Sequence, residues 1–312
     1  MKALLIATLA LGIATVPANA FVPERWQETL LADHPLVGRI FAIDPDITPA
    51  SPGDLADAAN GTAALAIGEI HDNRDHHVLQ ANLIGQLKAD KVTVVFEMVP
   101  DRLQGALDAA TTDMDALGEA LEWEARGWYG WPIYRPIFEA AVVRGATLKA
   151  GAFDRDVVRR VSKVGLVNLS SAQREGLDLE TPLPSAAKDS LMAELATSHC
   201  GMMPEIALPA MADVQRLRDA KMASAVDAAS GKAVLIAGNG HVRRDRAVPF
   251  LTKRETIVIM LMEVVDGRTS PEQYEVKTAQ GEKLADFVIF TPRAKRDDPC
   301  QMMRDAMKKK TK

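Results

Sequence analysis

Residues 67–73, Ile-Gly-Glu-Ile-His-Asp-Asn, place a carboxylate, an imidazole and an Asp-Asn pair directly after an apolar run. The pattern recurs, since Gly68 to His71 and Gly238 to His241 are both Gly-x-x-His, and Glu97 sits near the end of another apolar run, "KVTVVFEMV". Imidazoles beside carboxylates suit a divalent transition metal. His71, His241 and Glu69 or Glu97 would hold one and leave a position for water, the arrangement a hydrolytic site needs, with Glu69 and Glu97 as its candidate catalytic carboxylates. The same His-Asp-Asn segment also suits the start of a helix with Asp72 or Asn73 as N-cap, a role that requires no imidazole. His76 and His77 fall in the first turn of that helix, facing either the site or solvent. Other catalytic signatures are missing from the sequence: there is no Gly-x-Ser-x-Gly elbow, no Walker-type or Gly-x-Gly-x-x-Gly loop, no Cys-x-x-Cys and no Cys-x-x-Cys-His. The one His-Cys neighbour pair is His199-Cys200.

Something must hold these residues together, and the hydrophobic pattern supplies it. "TAALAIGE" (62–69) and "KVTVVFEMV" (91–99) are strand-length runs separated by "RDHHVLQANLIGQLKAD", in which Leu79, Leu83, Ile84 and Leu87 recur at helical spacing. This is a βαβ unit and implies parallel strands. Further strands are expected at 147–153, 232–240, 256–265 and 285–291, with helices around "MDALGEALEWEARG", "YRPIFEAAVVRGA" and "VQRLRDAKMASAVDAAS". The fold class is therefore α/β, a mostly parallel sheet flanked by helices on both faces, with a helical insertion at 155–205 inside a single domain spanning 21–295. In such sheets ligands bind beyond the carboxyl ends of the strands. Glu69 and His71, Glu97, and Asn239 and His241 all fall there, on one rim.

A second concentration of chemistry lies at 123–138, "WEARGWYGWPIYRPIF", which holds three of the four tryptophans and two of the three tyrosines. One reading is an aromatic core wedge leading into a helix that opens at Pro132. The other is a surface for a flat apolar ligand. Arg126 and Arg135 would ease a tyrosine here toward phenolate, a ligand for hard ferric iron of the kind tyrosine provides to haem, or would pair with haem propionates.

The chain opens with "MKALLIATLALGIATVPANA", a lysine, an apolar stretch and a small-x-small site at Ala18-Asn19-Ala20, which reads as a signal peptide cleaved after residue 20. Export to the periplasm is the expectation, without a lipid anchor, since no cysteine stands directly after the cleavage site. Net charge −5 and a pI near 5.8 lack the basic field that nucleic acid or an anionic membrane surface would favour. Cys200 and Cys300 are the only cysteines. In an oxidising compartment they either pair or remain separate buried or free thiols. Residues 296–312 read as a tail whose basic end, "KKKTK", is expected to be disordered.

Taken in order, "GEIHDNRDHHVLQ", "VVFEMV", "WPIYRPIFEAA", "HCGMMP", "QRLRDAKMA" and "LIAGNGHVRRDRAVP" resemble the motifs of the ChaN-type haem-binding uptake proteins, over about residues 60–250. That family is similar to the Tiki proteins and erythromycin esterases, which share strand-end histidines. The resemblance implies haem as cofactor and ligand, a pocket shared across a homodimer, envelope haem transport components as partners, and a role in iron uptake. It also implies a tyrosine axial ligand, for which Tyr134 within "WPIYRPI" comes first and Tyr129 second, and a histidine near the propionates, His199, His76 or His77. Two functions thus stand side by side: a haem-binding protein of the cell envelope and a metal-dependent hydrolase.

Overall fold

The computed structural model describes residues 22–166 and 169–310. The expected signal peptide lies outside the described residues. Eight strands form one sheet: β1 (Ile40–Ile43), β2 (Ile47–Ala50), β3 (Ala64–Glu69), β4 (Val92–Pro100), β5 (Thr147–Ala152), β6 (Lys232–Gly238), β7 (Thr256–Glu263) and β8 (Phe287–Thr291). Their order is β2-β1-β8-β7-β3-β6-β4-β5. From β8 to β5 every neighbour is parallel, and β1 and β2 close one edge antiparallel. The architecture is the expected α/β one, with helices on both faces.

The continuous apolar runs are explained by burial on both sides. Within β3, Leu65 and Ile67 pack with Leu79, Leu83 and Ile84 of the helix Arg74–Gln86 and with Phe138 of the helix Trp131–Val143. Ala64 and Ala66 face the opposite core with Met222 and Val226 of the helix Leu208–Asp227. Alternate residues of one strand thus serve two cores, as the two-residue period of a strand requires.

Residues 155–205 hold the helices Arg155–Val164, Ser171–Arg174 and Ser185–Ser198. Val157, Val161 and Leu169 form a small cluster of their own with Leu217. Buried Arg246 ties this region back to the sheet by donating to Ser190 Oγ at 2.7 Å and pairing with Glu194. Cys200 and Cys300 form a disulfide, with Cα atoms 5.6 Å apart.

Two parts differ from the sequence expectation. The β1–β2 hairpin is additional. The expected tail contains a helix, Pro299–Lys310, where the basic end was expected to be disordered; it is held at its start by the disulfide and by Asp298 Oδ1, which accepts from the Cys300 amide at 2.8 Å.

Candidate functional site

The two Gly-x-x-His motifs lie on neighbouring strands, since β3 and β6 pair with Glu69 opposite Gly238. Each glycine makes room for the other motif. A Cβ on Gly238 would lie 3.0 Å from His71 Nε2, and one on Gly68 would lie 2.2 Å from Asn239 Oδ1 and 2.6 Å from Val242 Cγ2. The glycines are therefore needed for close approach across the strand ends. Beside them β4 is bulged, with its register against β5 shifting between Phe96 and Pro100, the stretch that holds Glu97. Bulges re-aim side chains in this way.

Two imidazole–carboxylate groups result. In the first, buried Glu69 Oε1 accepts from His71 Nδ1 at 2.8 Å and from the Tyr134 hydroxyl at 3.1 Å, while Oε2 lies 3.3 Å from His77 Nε2. His77 also donates through Nδ1 to the Ile133 carbonyl at 3.0 Å and stacks on the Tyr134 ring, centroids 4.1 Å apart. Burial works against the Glu69 charge, but His77 and His71 outweigh it and hold the carboxyl well below its usual range. For His71 burial opposes the charge and the bond to Glu69 favours it, with the net direction upward.

In the second group, His241 Nδ1 lies 2.6 Å from Asp219 Oδ1 and its Nε2 lies 3.3 Å from Glu97 Oε1. Glu97 Oε2 accepts the Gly238 amide at 2.8 Å. Burial disfavours the His241 cation, yet the flanking carboxylates win and push it up to about 10. Burial likewise disfavours the Glu97 charge, and His241 reverses this, holding the carboxyl at about 2. His241 is thus a buried imidazolium between two carboxylates.

The remaining sequence candidates are scattered. Asn73 takes the capping role: its Oδ1 accepts from the Asp75 and His76 amides at 3.0 and 3.2 Å, and its Nδ2 donates to Glu263. Asp72 is paired by Arg296 at 2.6 Å, which also holds Glu263. His76, a candidate for the propionates, is fully buried; Nδ1 accepts from the Ile70 amide at 2.9 Å, Nε2 donates to Thr291 Oγ1 at 2.8 Å, and burial keeps the ring neutral. It is part of the loop's scaffold, and His77 is equally enclosed, so neither faces solvent. His199 ends the helix Ser185–Ser198, donating through Nδ1 to the Leu195 carbonyl. Arg135 pairs with exposed Asp115 at 3.0 Å, and Arg126 donates to the Leu121 and Met98 carbonyls.

The phenols are not eased toward phenolate by these arginines. Burial first, and then Glu69, pushes the Tyr134 phenol far up, and Tyr134 is 0% exposed. Tyr129 is 50% exposed, and its phenol is raised more mildly by partial burial and by Asp72. The metal reading of His71, His241 and Glu69 also lacks a ligand set, because among the described residues no group of three or more His, Cys, Asp or Glu is arranged to hold a metal ion. Part of the reason is visible in the pairing: both ring nitrogens of His241 are engaged, Nδ1 by Asp219 and Nε2 by Glu97, and Glu69 is shared among His71, His77 and Tyr134.

Asp219 is the site residue that sequence reasoning missed. A signal existed: Asp219, Met222, Ala223 and Val226 share one buried stripe of their helix, so a carboxylate stood on an apolar face. Next to Glu97 a cavity of about 560 Å³ opens, walled by Met98, Trp128, Phe153 and Val158 and carrying several arginines.

The family described as "Haem-binding uptake, Tiki superfamily, ChaN" matches residues 55–250. Among solved structures, ChaN of Campylobacter jejuni, described as showing cofacial haem binding, superposes with a TM-score of 0.62 over 80% of this chain and 96% of its own, at 19% identity. That likeness shows the fold. The type III effector HopBA1 is similar over 76% of this chain and 91% of its own, with a TM-score of 0.42 and 15% identity. No curated protein matches the chain significantly.

Proposed function

The chain belongs to the ChaN family of haem-binding uptake proteins in the Tiki superfamily, and from that premise we propose that it binds haem through Tyr129 and serves haem handling and iron uptake in the cell envelope. One observation carries the choice of residue. Of the three tyrosines, Tyr134 and Tyr274 are 0% and 6% exposed with their hydroxyls already bonded, whereas Tyr129 is 50% exposed. It sits in the short Gly127–Gly130 segment, where Gly127 takes a positive φ of 80° and Gly130 precedes the helix Trp131–Val143.

The donor set fits the cofactor. A phenol at the surface can become the hard anionic oxygen that ferric iron prefers, and tyrosine is an established axial haem ligand. When bound, haem supplies a ferric centre to which that oxygen coordinates. An exposed ligand also suits a haem shared between two copies of the chain, so a homodimer forming around haem is part of the proposal. Delivery outside the cytoplasm is supported by the signal-peptide pattern of residues 1–20. The strand-end groups have another part in this reading: they are buried ion pairs that fix the loops on which the aromatic segment rests, with Tyr134 bonded to Glu69 and Trp128 edge-on to His71 at 5.1 Å.

The test is a hemin titration of the mature protein and of Tyr129→Phe and Tyr134→Phe, reading the Soret and phenolate charge-transfer bands. Tyr129→Phe is expected to lose the charge-transfer bands and to bind at least about tenfold more weakly, a difference of roughly 1.4 kcal/mol. Tyr134→Phe is expected to keep the bands. The reverse pattern would move the ligand to Tyr134.

A further inference from the structure

We propose that the cavity beside Glu97 is a second binding site, separate from the haem site, for a small organic anion with a flat apolar body. Its volume, about 560 Å³, lies within the range of small-molecule pockets. Trp128 and Phe153 offer aromatic faces, and Met98 and Val158 complete the apolar wall. A body of stacked or fused rings matches such a lining.

The charges around it are unequal in how they are used. Glu97 is answered by His241 behind it. Arg102 stands between Glu122 and Asp154, at 2.5 and 3.5 Å. Three guanidinium groups on the lining then remain without a carboxylate partner: Arg126, Arg155 and Arg218. Arg155 and Arg218 are exposed and make no ion pair or hydrogen bond among the described residues. Arg126 is held in place by the Leu121 and Met98 carbonyls, and its Nη2, shielded from solvent, has no partner. Burial lowers Arg126 to about 10, so the group remains charged at neutral pH. A carboxylate, sulfonate or phosphate on the ligand would meet the two adjustable arginines, Arg155 and Arg218, with the fixed Arg126 cation adding to the positive field around it.

The site is distinct from the proposed haem ligand. Tyr129 itself does not line the cavity, although its neighbours Gly127 and Trp128 do, and the charged groups it senses are Asp72 and Arg296. Under this proposal the cavity's ligand is expected to bind with or without haem.

Calorimetric titration with 1-anilinonaphthalene-8-sulfonate, compared with the uncharged N-phenyl-1-naphthylamine, tests this. The expected result is one saturable site that prefers the sulfonate by roughly tenfold or more. Arg155→Gln combined with Arg218→Gln should lower sulfonate affinity by a similar factor, at an unchanged melting temperature and with unchanged affinity for the uncharged analogue. Hemin added first should leave the sulfonate isotherm intact. Equal affinity for the two probes, or a double variant that binds like wild type, overturns the anion site. Displacement by hemin overturns its independence and assigns the cavity to haem. Failure of the Tyr129 reading is recognised separately, by a Tyr129→Phe protein that keeps its haem spectrum.

Discussion

Asp219→Asn removes one of the two carboxylates that hold the buried His241 imidazolium, while keeping nearly the same shape. Taking one partner from a buried ion pair costs about 3–5 kcal/mol, because the remaining charge is left uncompensated. Asparagine can still accept a hydrogen bond from His241 Nδ1, now 2.6 Å from the Asp219 carboxylate, so the loss should fall near the lower end, about 3 kcal/mol. At roughly 2 °C per kcal/mol for a chain of this size, the melting temperature at pH 6 should fall by roughly 6 °C. The pH dependence is the more specific readout. His241 is raised from 6.5 to about 10, so its contribution is complete below pH 6.5 and is lost as pH rises through 10. Burial raises Asp219 above its usual 3.8, so its own contribution is complete below pH 3.8 and begins to be lost as pH rises from there, well before the His241 decline. Glu97 behaves oppositely: lowered from 4.5 to about 2, it contributes above pH 4.5 and ceases to do so as pH falls through 2. Wild-type melting followed by circular dichroism should therefore decline between pH 7 and 10, by up to about 1.4 kcal/mol per pH unit for His241, and Asp219→Asn should flatten that decline. A variant that melts within 1 °C of wild type and retains the full alkaline slope would refute the placement of a charged His241 between the two carboxylates.

Gly68→Ala should destabilise by about 1–3 kcal/mol, because the new methyl group collides with Asn239 and Val242 at the neighbouring strand end. Urea unfolding with an unchanged m-value measures it, and a loss under about 0.5 kcal/mol would contradict the close packing of the two motifs. Haem affinity should rise with pH, because Tyr129 is a raised phenol that must release a proton to coordinate iron. The slope should approach tenfold per pH unit below the phenol pKa, and a flat profile in hemin titrations from pH 6 to 9 would argue against a phenolate ligand.

The parallel part of the sheet was legible because its strands are buried on both faces and read as continuous apolar runs. Strands β1 and β2 were not, since each has four residues, and β2, Ile-Thr-Pro-Ala, is only partly covered. The rim of functional groups was likewise legible from strand ends alone, whereas the pairing within it was not. Asp219 meets His241 only because a helix 22 residues earlier packs back across the sheet. The environments of the two tyrosines could have been separated further. Trp131, Tyr134, Phe138 and Ala141 form one buried stripe at helical spacing, which puts Tyr134 inside, while Tyr129 precedes the helix and escapes the stripe.

The disulfide has a consequence for how the chain responds to cleavage. Cys200 and Cys300 enclose β6, β7, β8 and His241 in one covalent loop. A protease that clips any single peptide bond between them leaves the two fragments joined. The cut chain would migrate as two pieces only after reduction, and the strands on both sides of the break would stay at high effective concentration. The part of the molecule that carries half of the strand-end charge pairs is thus the part whose fragments cannot diffuse away.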